Sequence, residues 1–247
     1  ADAVQSGDVL VGWGQKPNTR QIKQKAHDLG LPYWQLEDGF IGYIGHPARG
    51  GKAVSLIADP VGIYYDARQP SRLEELIATP CDDSMLARAE TLTAELLRLG
   101  ITKYNCYTAD SGLPDTLTAR LHSDPRPKVL LIDQVAGDLS IPGALASEED
   151  FVAMVAAARR NHPDARLLLR THPDTRLGKK SGVLARLALD DVEVVAEHCH
   201  PHALLNSVEA VYTVSSQMGF EALLLGKAVH CFGMPFYAGW GLTHDSK

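Results

Sequence analysis

Three groups of side chains in this sequence stand where chemistry could be done. The first lies in Arg166-Leu-Leu-Leu-Arg-Thr-His-Pro-Asp174. Leu167 to Thr171 reads as a short buried strand bounded by polar turns. It delivers Thr171, His172 and Pro173 to its carboxyl end, where ligands bind in open α/β sheets. Pro173 fixes its own φ and holds His172 extended, which presets the imidazole as a donor to an anion. The plain alternative is a histidine at an exposed turn. The second group is Ser215-Ser216, after a strand at 210–214 and at the start of a helix. Hydroxyls and free N–H groups there bind anions, although serine also caps helices for its own sake. His172 and the serines would share one phosphate if their strands are neighbours.

The third group is carboxylates. Asp133 ends an apolar strand over Lys128–Asp133, and Glu37 and Asp38 end a strand over Leu31–Leu36. Two carboxylates from two lobes facing one cleft suit glycosyl chemistry, one as nucleophile and one as acid/base. Each could instead only cap a turn. Arg170 and Lys179-Lys180 flank the His172 loop and could meet acidic ligand groups. Glu197-His-Cys-His-Pro-His202 holds metal-ligand residue types, but Pro201 argues for a helix start, and no metal is expected. The glycines form neither GxGxxG nor a P-loop, which disfavours a dinucleotide enzyme.

The elements that must position these groups follow an alternating order. A strand at 9–14 leads to a helix over roughly 19–29, capped by Asn18 and closed by Gly30. Residues 55–65 look extended, Ser71 opens a short helix, and 83–99 is a strongly periodic helix closed by Gly100. Residues 108–127, rich in Ser, Pro, Asp and Gly, mark a domain boundary, giving domains 1–124 and 125–247. Beyond it come a helix opened by a Ser147/Asp150 capping box, a helix near 180–189, a strand at 192–196, a short helix near 201–207, a helix at 216–225 and a strand at 228–232. Alternation of this kind predicts an α/β fold with parallel sheets. Residues 226–241 end in aromatics among glycines, readable as a binding platform or as a packed loop returning to the first domain.

Composition sets outer limits. The 247 residues are 45% hydrophobic and 22% charged, with net charge -6 and no basic excess that would argue for nucleic acid. Four cysteines stand far apart, as reduced thiols do in the cytoplasm. No apolar run reaches about 18 residues, and no signal peptide is visible. Residues 1–8 do not look like a natural start, so a fragment is expected.

Glu37-Asp-Gly-Phe40, Gly62-Ile-Tyr-Tyr-Asp66, Ile132-Asp-Gln134, His172-Pro-Asp174 with Gly178-Lys-Lys180, Ser215-Ser-Gln-Met-Gly-Phe-Glu-Ala-Leu223 and Phe236-Tyr-Ala-Gly-Trp-Gly-Leu-Thr243 occur in order. Together they resemble one module of the capsule-polysaccharide retaining β-Kdo transferase family (KpsC/LipB type). The resemblance implies two Rossmann-like domains facing a cleft, GT-B-like, truncated here at both ends. It implies transfer of Kdo from CMP-β-Kdo, with retention, to a lipid-linked, phosphatidylglycerol-type Kdo acceptor, without a metal or other cofactor. The chain would be cytoplasmic, peripheral on the inner membrane, with capsule assembly proteins as partners.

By position, the resemblance makes Asp133 the nucleophile and Glu37 the acid/base, with Asp38 a second choice. It assigns the CMP phosphate to His172-Pro173 and Ser215/Ser216, beside Arg170, and substrate contacts to Gln134, Lys179, Lys180, Glu221 and Tyr237. Where the family carries Arg-Ser, this chain has Gly42-Tyr43, so the family's cation near the Kdo carboxylate is expected to be either missing or replaced by Lys52 or Arg49. The alternatives are another GT-B sugar-nucleotide enzyme, inverting sialyltransferase-like or an epimerase, and a non-catalytic glycan-binding module.

Overall fold

The computed structural model describes residues 4–5, 7–107, 111–171, 175, 181–187 and 189–247. Two lobes enclose a cleft. The C-terminal lobe is built on strands β6 (Lys128–Ile132), β7 (Arg166–Arg170), β8 (Val192–Val195), β9 (Ala210–Thr213), β10 (Ala228–Cys231) and β11 (His244–Asp245). Their spatial order is β11-β10-β9-β6-β7-β8, and every pairing is parallel. Numbered from β6, this is the doubly wound order 3-2-1-4-5-6, whose direction reverses between β6 and β9. The gap at that reversal is the natural ligand crevice.

The sequence explains the layering. Val129, Leu130, Leu131 and Ile132 of β6 are all buried, as a central parallel strand covered on both faces must be. Helix Glu148–Asn161 starts at the Ser147/Asp150 capping box and buries Phe151, Met154, Val155 and Ala158 against one face. Spacings of three, four and seven put these on one stripe. Each fully buried large apolar side chain contributes about 1.5–3 kcal/mol. The opposite face packs Leu204, Leu205 and Ala222, and also Leu117 and Leu121 of helix Asp115–His122. That helix falls inside the stretch read from sequence as an interdomain boundary, yet it packs in the C-terminal core.

The N-terminal lobe is smaller. Strands β1 (Leu10–Trp13) and β2 (Tyr33–Asp38) are parallel, joined through helix Pro17–Asp28. The expectation of parallel sheets fails here: β5 (Leu56–Asp59) pairs antiparallel with β2, and β3 (Tyr43–Ile44) with β4 (Lys52–Ala53). The extended reading of 55–65 shrinks to β5 because Asp59 bends the chain. Its Oδ1 accepts N–H from Val61 and Gly62, and its Oδ2 accepts from Arg72. Asn18 does not cap the first helix; Lys16 holds the cap position without a side-chain bond. Helix Asp83–Arg98 buries no residue, leaving Met85, Leu86 and Leu92 exposed.

The lobes are clasped by aromatic packing. Phe40, just past β2, lies 4.9 Å from Phe236 between ring centroids, and its carbonyl accepts from Gln217 Nε2 at 2.8 Å. Tyr64 meets Phe236 edge-on at 5.6 Å. The aromatic-glycine segment is therefore a packed loop that returns to the first lobe.

Candidate active site in the interlobe cleft

The cleft has a volume of about 1240 Å³ and is lined from both lobes, by Glu37, Asp38, Tyr64 and Tyr65 on one side and Asp133, Gln134, Ser215 and Ser216 on the other. Strand ends explain the gathering. Asp133 and Gln134 follow β6, the serines follow β9, and these two strands flank the topological switch point. Helix Gln217–Leu224 opens there, with Ser216 as its N-cap accepting from Met218 N–H at 3.2 Å. Its first free N–H groups and partial positive charge face the crevice.

A phosphate shared by His172 and the serines was expected on the condition that their strands are neighbours, and that condition is not met. Their strands, β7 and β9, are not neighbours; β6 stands between them. Ser215 meets Gln134 instead, across the switch point. His172, Pro173, Lys179 and Lys180 lie outside the described residues.

Asp133 is 2% exposed. Its Oδ1 accepts N–H from Gln134 and Leu184 at 2.9 Å each, and its Oδ2 accepts from Ala185 at 3.3 Å. Burial raises its pKa, with these N–H donors opposing the shift. Glu37 and Asp38 sit on the opposite wall, half-buried. Burial pushes the Glu37 carboxyl up, partly countered by the Asp38 N–H that it accepts at 3.0 Å. Asp38 accepts from the Tyr43 hydroxyl at 2.7 Å, and this bond raises the Tyr43 phenol to about 12. Glu37 is thus a partly desolvated carboxyl suited to take or give a proton.

Arg170 reaches the cleft, but its guanidinium donates to the Glu197 carbonyl at 2.7 Å and the Cys199 carbonyl at 3.4 Å. It braces the 197–199 loop as well as charging the wall. Glu221 also lines the cleft, almost fully buried, with its carboxyl raised to about 7 by desolvation. Tyr237, expected to touch substrate, is not among the residues that line the cleft. It is 4% exposed and its hydroxyl donates to the Ser216 carbonyl at 2.6 Å, so it fixes the serine turn from behind.

The histidine tract is used structurally. His200 Nδ1 accepts from His202 N–H at 3.0 Å and Nε2 donates to Gly100 O at 2.9 Å, which fixes a neutral tautomer and opens helix Pro201–Asn206. Among the described residues, no cluster of three His, Cys, Asp or Glu could hold a metal ion.

Sequence reasoning missed Lys103, Tyr104 and His46, which also line the cleft. The only signal was a polar, aromatic run just after Gly100. Of the cations expected to fill in for Gly42-Tyr43, Lys52 is exposed on β4 away from the cleft wall, and Arg49 is exposed at the rim.

Comparison with known proteins follows the same lines. A family model described as capsule polysaccharide biosynthesis protein matches residues 8–99 and 84–247. The capsule polysaccharide modification protein LipA of Neisseria meningitidis serogroup B is 41% identical over 241 residues, 96% of this chain and 34% of LipA. The lipopolysaccharide-processing protein LpsZ of Rhizobium meliloti is 34% identical over 242 residues, 96% of this chain and 53% of LpsZ. The chain thus spans about a third of one curated relative and half of the other.

Among solved structures, the Thermosulfurimonas dismutans KpsC β-Kdo 2,4 transferase is 44% identical with a TM-score of 0.87, covering 96% of this chain and 72% of that one. The β-Kdo 2,7 transferase of the same KpsC is 31% identical with a TM-score of 0.66, covering 97% and 69%. The two-lobed α/β fold, the crevice at its strand reversal and matches over nearly its whole length place this chain in the capsule polysaccharide biosynthesis protein family.

Proposed function

We propose that this chain is a retaining β-Kdo transferase module, taking Kdo from CMP-β-Kdo and placing it on a lipid-linked, phosphatidylglycerol-type Kdo acceptor. The observation that carries the reading is the match to the KpsC 2,4 transferase, which covers 96% of this chain at 44% identity. The weaker match to the 2,7 transferase favours a 2,4 linkage.

The chemistry divides between the walls. The donor phosphate lies at the switch point, facing Ser215, Ser216 and the helix start, with Arg170 adding charge. A cytidine monophosphate leaves as an anion, so departure needs positive and hydrogen-bonding groups rather than a proton, and the proposal assigns no metal to the site. The Asp133 carboxylate attacks the anomeric carbon from the face opposite the phosphate. The carbon–oxygen bond to CMP breaks, and its electron pair goes to the phosphate. Glu37 then takes the proton of the acceptor hydroxyl, which attacks the same carbon and releases Asp133. Two inversions give net retention.

The burial of Asp133 favours a second reading. With three N–H donors on its carboxylate, Asp133 would brace the 182–185 turn, and Glu37 would be the group that meets the sugar. Mass spectrometry of the protein mixed with CMP-Kdo separates the two. A sugar adduct mapped to Asp133 is the expected result; an adduct on Glu37 supports the second reading. CMP-Kdo left unconsumed in the presence of a Kdo-lipid acceptor refutes the transferase assignment. The acceptor places this activity at a membrane surface, and no helix among the described residues is long and apolar enough to cross one.

A further inference from the structure

Lys103 belongs to the segment that joins the lobes, and its peptide is a crossbeam between them. Its N–H donates to Glu221 Oε1 at 3.3 Å, in the C-terminal lobe. Its carbonyl accepts N–H from both Gly42 and Tyr43 at 3.0 Å, in the N-terminal lobe. The backbone is therefore fixed from two sides, and the half-buried side chain lines the cleft.

Among the described residues no carboxylate oxygen lies within 4.0 Å of Lys103 Nζ, and the Tyr104 ring is 5.7 Å away. Glu37 and Glu221 are both near enough for its charge to favour their ionised forms, although burial outweighs it in each. A half-buried cation between two partly desolvated acids, none of them paired with it, is an open anion position.

The other cleft cations fit this position less well. The Arg170 guanidinium is held by the Glu197 and Cys199 carbonyls on the C-terminal wall. Lys16 and Arg49 are exposed at the rim. The helix start at Ser216 serves the phosphate on the C-terminal side, whereas Lys103 stands by Glu37, where the sugar must lie. We infer that Lys103 is a positioning residue for the sugar itself, receiving the carboxylate of a 2-keto acid sugar while the phosphate is held elsewhere. The inference rests on the transferase reading given above.

Lys103→Met keeps the aliphatic stem and the backbone crossbeam but removes the charge, and Lys103→Arg keeps the charge. Calorimetry with CMP and with CMP-Kdo separates phosphate from carboxylate. A charged hydrogen bond of this kind corresponds to about a 10- to 150-fold change in affinity. Lys103→Met is expected to bind CMP as the unaltered protein does and CMP-Kdo at least about tenfold more weakly, with Lys103→Arg recovering most of the loss. Equal weakening of CMP and CMP-Kdo would mean that Lys103 serves the phosphate or only the hinge, and unchanged CMP-Kdo binding would mean that it serves neither; both overturn the inference and leave the transferase reading standing. Failure of the unaltered protein to bind CMP or CMP-Kdo would overturn both.

Discussion

Gln134 and Ser215, just past strands on either side of the sheet's reversal point, hold each other chiefly by two short hydrogen bonds. Ser215 N–H donates to Gln134 Oε1 at 2.8 Å, and Gln134 Nε2 donates to Ser215 Oγ at 2.9 Å. A third contact, from Gln134 Nε2 to Ser140 Oγ at 3.3 Å, ties in the following loop. This side chain closes the gap that the parallel ladder leaves open and fixes Ser215 at the cleft wall.

Gln134→Glu keeps the oxygen that accepts from Ser215 N–H but replaces the donor with a negative charge. The fold should survive, while CMP binding falls about tenfold or more from repulsion of the phosphate. Calorimetry with CMP, alongside a melting curve, checks this; unchanged affinity would remove Gln134 from the phosphate wall.

Gly182 shields Asp133 closely: a Cβ there would stand 1.9 Å from Asp133 Oδ2. Gly182→Ala must push the carboxylate off its Leu184 and Ala185 donors. A loss of about 1–3 kcal/mol in stability is expected, with sugar transfer abolished. Urea unfolding and a transfer assay measure the two effects; normal transfer with a displaced carboxylate would exclude Asp133 as the attacking group.

Glu221 gives a pH dependence. Its carboxyl titrates near 7 in the folded chain, against an ordinary value of 4.5, because burial disfavours the charge. Between these values the folded state binds more protons than the unfolded one, so stability falls as pH rises from about 4.5 to about 7 and levels off above. The penalty at high pH is on the order of 3 kcal/mol. Glu221→Gln still accepts from Lys103 N–H and carries no charge. It should match the unaltered protein near pH 4.5 and exceed it in urea midpoint at pH 8; parallel curves at both pH values would refute the shift.

His230 works at the acid end. Its ring stacks between Tyr212 at 4.2 Å and His244 at 4.5 Å, across three neighbouring strands. Burial, with His244 and His162 nearby, lowers its pKa from 6.5 to about 4. The unfolded chain then binds more protons between those values, so this contribution is whole above pH 6.5 and is lost as pH falls to 4. His230→Phe keeps a ring in the stack and should flatten the acid limb of stability between pH 6.5 and 4. An acid limb of unchanged steepness would contradict it.

The sequence by itself determined the local elements and the roster of reactive groups. Apolar runs at 128–133 and 210–214, the Ser147/Asp150 capping box and the stop at Gly226 depend on neighbours in the chain, so propensity and spacing suffice to read them. The same holds for carboxylates and serines at strand ends, because parallel connections carry every strand's carboxyl end to one side of the sheet. Only the tertiary structure decided which strand ends adjoin. It put β6 between β7 and β9, so that Gln134 meets Ser215 across the reversal point. It turned Tyr237 inward, folded Asp115–His122 into the C-terminal core and set β5 antiparallel. It also brought Lys103 between two lobes through bonds to residues about 60 positions before it and 118 after. Such contacts depend on loop closure and packing across long separations, which no window of sequence encodes.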